Sequence, residues 1–180
     1  MYGLINKSIE ELVKENFGDE IWLKVLEVSK IEHDFFISSE AYDDDVTYAL
    51  VGAISETTKL SPSDILLSFG EWWVLRTSKE KYGSMMESGG SNLKQFLVNL
   101  PVFHNRVMLI YPKLTPPEFK VSHIEESSIF IHYFSKRQGL NDFVKGLMLG
   151  LGKLYDTPVI VEEVENEGLD QSNKIFKVSW

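Results

Sequence analysis

The chain of 180 residues contains no cysteine. That excludes disulfides, thiolate metal sites and cysteine nucleophiles at once. It also lacks any apolar run long enough to span a bilayer. The start, MYGLINKSIEELV, has no basic segment followed by an apolar stretch and a small-residue cleavage site, so it does not read as a secretory signal. Positive charge is scarce: 18 Lys and Arg stand against 27 Asp and Glu, a formal net charge of -9. Binding to a phosphate backbone needs clustered Lys and Arg, so nucleic acid is not expected as a partner. A protein partner with a basic surface is compatible with this charge. No GxSxG, phosphate-binding glycine loop or HExxH occurs, and no enzyme active site is read. The expected setting is the cytoplasm, with no membrane association. By contrast aromatics reach 12%, with four Trp, which asks for a large core or a flat ligand to cover.

Periodicity divides the chain into a helical part and a sheet-containing part. Ile9, Leu12, Val13 and Phe17 fall at helical spacing and are closed by Gly18. Asp19 can cap a second helix. Asp43 to Asp45 suit the positive end of a third, VTYALVGAISETTKL. Ser61 and Pro62 form a cap with proline at the first helical position, opening DILLSFGEWWVLRTS. SGGS at 88–91 reads as a joint, and SNLKQFLVNLPVFHNRVMLIYP as one helix bent or broken at Pro101. After the proline turn KLTPPEF come two strands joined near Glu125 to Ser128, a helix GLNDFVKGLMLGLGKLYD, and two more strands around a polar loop. The expected fold is α+β in one domain. A helical lobe spans about 1–111 and an antiparallel sheet lobe with an inserted helix about 112–180, with a ligand cleft between them.

Two features ask for chemistry. His104 shares a helical face with Leu100, Pro101, Val107 and Met108, with no carboxylate nearby. It is either a satisfied core histidine or a neutral imidazole offered to a metal in a dry pocket. His33, His123 and His132 show no HxxxH-type spacing, so a multi-histidine zinc site is not expected. A lone histidine suits a metal that brings most of its own ligands, as haem does. The second feature is IFIHYFSKRQ at 129–138, which reads as a strand. Alternation lines up Ile129, Ile131, Tyr133, Ser135 and Arg137 on one face. The polar end is either a strand emerging into solvent or an anion clamp, in which an arginine fork and two hydroxyls hold carboxylates. Gly146, Gly150 and Gly152 in the late helix mark a close backbone approach by a flat ligand or by a neighbouring helix.

These residues sit in a wider pattern: MYGLIN, AYDDDVTYALVGA, FGEWWV, LPVFHNRV, YPKLTPPEF, HYFSKR and GLMLGLGKLYDTPVIVE. Over essentially its whole length the chain resembles the H-NOX domains, haem nitric oxide/oxygen sensors related to the haem domain of soluble guanylate cyclase. The YxSxR pattern with a histidine upstream is the specific part. The resemblance implies haem b between the lobes, with His104 as the proximal ligand. Tyr133, Ser135 and Arg137 would hold the propionates, Pro117 would press on the macrocycle, and Ile5, Trp73, Phe143 and Leu147 would line the distal side. Oxygen-binding relatives have a tyrosine where this chain has Phe143, which points to nitric oxide, with carbon monoxide as a second ligand. Trp73 adds an indole N–H of unknown direction. The resemblance also implies a standalone bacterial sensor without catalytic activity. Such a sensor signals through iron–histidine bond breakage and lobe motion to a separate partner, a histidine kinase or a cyclic-di-GMP enzyme. Two other functions remain open: a binding module for another flat or apolar carboxylate ligand, which leaves His104 unexplained, and a haem enzyme, which would want a distal histidine or arginine.

Overall fold

The computed structural model of the protein describes residues 1–33, 35–111, 116–164 and 173–180. It comprises two compact units, Met1–Phe69 and Gly70–Trp180.

The first unit is helical. α1 (Gly3–Phe17), α2 (Asp19–Ser29) and α3 (Asp44–Thr58) pack on one another. Their apolar stripes supply the core: Ile9 and Val13 from α1, Trp22 and Val25 from α2, Leu50 and Ile54 from α3, all at most 3% exposed. Asp19 and Glu20 open α2, and Asp44 and Asp45 open α3, where the helix dipole favours negative charge. One polar pair lies inside: Thr47 donates to Asn6 Oδ1 at 2.7 Å. α4 (Pro62–Trp72) crosses the boundary between the units. It begins as expected: the Asp64 N–H donates to Ser61 Oγ at 3.1 Å, and the Ser61 hydroxyl returns a bond to the Asp64 carboxylate at 2.6 Å.

The helix read from 62 to 78 does not stop there. It passes through a π-helical stretch, Trp73–Ser78, and continues as α5 (Lys79–Gly89). α6 (Leu93–Met108) starts at Asn92, whose side chain accepts the Gln95 N–H at 3.0 Å. It carries Pro101 within a continuous helix rather than breaking there.

The second unit also holds the sheet. β1 (Glu118–Ser122), β2 (Ser128–Phe134), β3 (Ile160–Val164) and β4 (Lys174–Ser179) run antiparallel in the order β1-β2-β4-β3. α7 (Asn141–Leu154) is inserted between β2 and β3. Residues 112–115 of the proline turn and the polar loop at 165–172 lie outside the described residues. On one sheet face Phe119 pairs with Tyr133, Val121 with Ile131, Ile131 with Phe176 and Ile129 with Val178. Ile129, Ile131, Phe176 and Val178 are fully buried, and α6 and α7 both pack on the sheet.

The glycines of α7 are explained by packing. A Cβ on Gly150 would lie 2.9 Å from Val74 Cβ, and one on Gly70 would lie 2.7 Å from Gly146 Cα and 2.3 Å from the Phe143 carbonyl oxygen. α7 therefore lies backbone-to-backbone against the end of α4 and the π-helical stretch. A Glu71–Lys153 ion pair spans the same contact. Gly152 has a different cause, since a Cβ there would meet the returning chain at the Thr157 carbonyl, 2.8 Å away.

Candidate haem site

β2 delivers its polar row differently from a continuous strand. Regular pairing ends at Phe134, four residues short of the sequence expectation. The backbone turns because side chains take over its donors: Ser135 N–H bonds to Asn173 Oδ1 at 3.2 Å, and Arg137 N–H bonds to Ser135 Oγ at 3.0 Å. The three groups nevertheless stay together. Tyr133 is buried at 3% exposure, and burial pushes its phenol up, while a hydrogen bond with Ser135 and the Arg137 charge pull the other way. Ser135 and Arg137 are half-buried. Such a cluster can offer two hydroxyls and a charged fork to a carboxylate.

His104 lies on α6, half-buried. Its ring meets Phe119 edge-on, with centroids 4.9 Å apart, and Phe119 in turn lies 5.5 Å from Tyr133. Phe119 thus joins the candidate ligand to the candidate clamp. Sequence reading missed it, although strand alternation puts it on the Tyr133 face once the register is known. Burial alone lowers the His104 pKa from 6.5 to about 4, so the imidazole is neutral at pH 7 with a lone pair to give. Its Nδ1 is buried and has no hydrogen-bond partner among the described residues. Buried polar nitrogens are rarely left so. Among the described residues, His104 is therefore not a satisfied core histidine.

Phe143 and Leu147 stand four residues apart on α7, both half-buried, while their neighbours Val144, Met148 and Leu151 are in the core. Trp73 opens the π-helical stretch that packs on α7. π-turns concentrate at functional sites, and nothing in WVLRTS announces one. Trp72, beside it, has a buried indole N–H without a partner among the described residues; sequence reading had singled out only Trp73. Pro117 is half-buried at the entrance to β1. Ile5 is half-buried on α1, in the first unit. Beyond His104, α6 is tied down where it ends: the hydroxyls of Tyr82 on α5 and Tyr111 lie 2.5 Å apart. Burial, then the bond to Tyr111, drive the Tyr82 phenol far above its usual range.

The donor set fits a haem. It combines one neutral imidazole with an unsatisfied nitrogen, apolar and aromatic surfaces, and a compact cluster suited to carboxylates. Among the described residues there is no group of three or more His, Cys, Asp or Glu that would hold a bare metal ion instead.

The sequence model described as Haem-NO-binding matches residues 2–163. Among curated proteins, the soluble guanylate cyclase gcy-34 of Caenorhabditis elegans is 32% identical over 179 residues, covering 96% of this chain and 26% of its own length. The soluble guanylate cyclase gcy-31 of the same organism is 27% identical over 168 residues, covering 93% and 24%. The chain thus spans about a quarter of the length of these relatives. Among solved structures, the unliganded Fe(II) H-NOX protein of K. algicida aligns with a TM-score of 0.87 at 23% identity, covering 99% of this chain and 96% of that one. The H-NOX protein of S. oneidensis in its Fe(II)NO state gives 0.86 at 16% identity, covering 99% and 98%. At those identities the structures establish a common fold.

Proposed function

The chain belongs to the haem-NO-binding family, and from that premise we propose that it senses nitric oxide through haem b and signals to a separate partner protein. At the coarser level it is a haem-binding gas-sensor domain, homologous to the matching quarter of the soluble guanylate cyclases and not itself a catalyst. The observation that carries the finer reading is the chain of rings from His104 through Phe119 to Tyr133. It links a neutral, unsatisfied imidazole to a carboxylate-binding cluster.

In this reading His104 is the protein's ligand to the iron. Tyr133, Ser135 and Arg137 would hold the propionates, Pro117 would press on the macrocycle, and Trp73, Phe143 and Leu147 would form the distal wall. Haem supplies an iron with an open position for a diatomic gas. The chain's contribution is selectivity and release. Phe143 has no hydrogen-bond donor, so a polarised bound oxygen gains nothing from it, whereas nitric oxide and carbon monoxide depend less on such a bond. His104 lacks a partner for Nδ1 among the described residues. His104 would be the residue that ties α6 to the iron, and its release on nitric oxide binding would leave α6 free to shift against β1. The resulting motion of α6 is what a histidine kinase or cyclic-di-GMP enzyme would read in the cytoplasm. Carbon monoxide, which leaves His104 bound, would signal poorly, because a ligand shifts an equilibrium only through its differential affinity for the two states.

The test is the visible spectrum of the ferrous protein with nitric oxide, carbon monoxide and oxygen in turn, beside partner activity for each. Spectral changes with the first two and none with oxygen support the assignment. A stable oxygen complex overturns the selectivity, and equal partner responses to nitric oxide and carbon monoxide overturn the release mechanism.

A further inference from the structure

The β1–β2 hairpin carries a second group of metal-ligating side chains, on the sheet face opposite Phe119 and Tyr133. Lys120 pairs with His132 and Ser122 with Phe130, so Ser122 and His132 are diagonal neighbours on that face. Ser122 Oγ lies 2.7 Å from His132 Nε2 and 2.9 Å from His123 Nδ1. His123 follows the last residue of β1 with φ +46°. This is the left-handed conformation, which histidine tolerates better than most residues. There its ring lies 4.8 Å from Phe130. Residues nine apart in the sequence thus aim one ring nitrogen each at a single oxygen, a convergence that no HxxxH-type search detects.

We propose that His123, His132 and Ser122 form a solvent-facing site for a divalent transition metal of the zinc–copper group. The two imidazole nitrogens are its main ligands, the serine hydroxyl is an adjacent oxygen donor, and water completes the shell. Imidazole suits this part of the series. One hydroxyl proton can satisfy only one of the two nitrogens, and the other must bring its own N–H. A metal ion replaces that arrangement by accepting a lone pair from both. Metal–nitrogen bonds of about 2.0–2.1 Å require the rings to close on the position between them. Burial, then the neighbouring His123 and Lys120, hold His132 below its usual pKa, so its lone pair is available at neutral pH. Lys120 is the cation facing the site, and it is drawn aside by Glu118 at 3.2 Å and by the Phe134 ring at 5.3 Å. His123 is exposed, which leaves the ion an entry path. With two histidines rather than the four protein ligands of structural zinc, the site is exchangeable. It is independent of the haem reading, since its residues share none of that site's side chains.

The experiment is calorimetric titration of the haem-loaded protein with Zn2+, where bound haem keeps His104 occupied. One saturable site is expected. His123→Ala and His132→Ala each weaken it by at least about tenfold, and the double variant abolishes it. His33→Ala leaves it unchanged. Ser122→Ala, which cuts the hydrogen-bond bridge but leaves both nitrogens, weakens it less than either histidine variant. X-ray absorption at the zinc edge is expected to report two imidazoles per ion. Equal Zn2+ affinity in the parent and the double variant, or no saturation below about 1 mM, overturns the proposal. A Ser122→Ala loss exceeding that of the histidine variants does so as well.

Discussion

His104 has two separable properties, a lone pair and a suppressed charge, and each predicts a different measurement. The lone pair predicts that His104→Gly loses haem or keeps it only when free imidazole fills the gap; a haem-loaded variant with the parent's ferrous spectrum and no imidazole would contradict the assignment. The suppressed charge concerns the haem-free protein. There His104 titrates at about 4, against about 6.5 in the unfolded chain. Between those values the unfolded chain binds a proton that the folded one refuses. Stability is therefore full above pH 6.5 and falls as the pH drops towards 4, by up to about 3 kcal/mol. Urea midpoints at pH 7 and 4.5 should show a smaller acid loss in His104→Leu than in the parent. His132, also shifted down by burial first, supplies a common background in both. Arg137 makes the third prediction. A charge-assisted hydrogen bond contributes about 1.5–3 kcal/mol, so Arg137→Ala should lose haem roughly ten- to hundredfold more readily, with Tyr133→Phe and Ser135→Ala doing less. Unchanged haem transfer to an acceptor apoprotein would remove the clamp. Both candidates could be picked out in the sequence because their chemistry is local: an imidazole on an apolar helix face, and a fork at the end of an apolar strand. Phe119, which joins them, was not, because its role depends on strand register.

Elements were legible where the signal lies within a few residues. The acidic starts at Asp19 and Asp43 to Asp45 and the Ser61 cap all fall where helices open, although Gly18 rather than Asp19 is the N-cap of α2 and only Ser61 makes a side-chain cap bond among the three; β2 buries the alternate positions Ile129, Ile131 and Tyr133. What escaped detection was decided at a distance. β2 stops at Phe134 with help from Asn173, 38 residues away. The π-helical stretch packs on α7, and its own residues are ordinary helix formers and β-branched residues. The glycines of α7 allowed two readings until the Gly70 and Gly150 contacts were known. Those contacts predict opposite outcomes for one substitution. Gly83 and Gly52 have nothing within 4 Å of an added Cβ, so Gly83→Ala and Gly52→Ala should each stabilise by up to about 1 kcal/mol through helix propensity. Gly150→Ala gains the same propensity but meets Val74 and Glu71, and overpacking of this kind costs about 1–3 kcal/mol. Thermal unfolding should rank Gly83→Ala above the parent and Gly150→Ala below it; the reverse order would mean that the α7 contact yields easily.

At the scale of the whole molecule, composition excluded more than it identified. The absence of cysteine and the acidic balance removed classes of function, and no helix among the described residues is long and apolar enough to cross a membrane. The family came from motifs spread over the chain, and the matched span of residues 2–163 covers nearly all of them. The expected lobe boundary near residue 111 reflects the change from helices to strands. The compact units divide at Gly70: α5, α6 and the π-helical stretch pack with one another and, through α6 and α7, with the sheet. The nitric oxide reading makes its prediction at this scale. Phe143→Tyr adds a donor on the distal side and should shift the protein towards measurable oxygen binding while leaving carbon monoxide binding within about tenfold. Unaltered oxygen behaviour would locate the selectivity elsewhere, with Trp72 and Trp73 the next residues to change.

The Tyr82–Tyr111 contact gives α6 a mechanical asymmetry. Tyr111 lies three residues beyond the end of α6 and is clasped to α5, and His104 stands one helical turn before that end, about 6 Å along the rise. A helix held at one end and let go partway along behaves as a lever with its fulcrum at the clasp. A small slip at His104 would be magnified toward the Asn92 end and damped toward the clasp. Unclasping the fulcrum with Tyr82→Phe would let the same release at His104 spend itself as sliding instead of swing. Haem binding would survive while the partner's response faded.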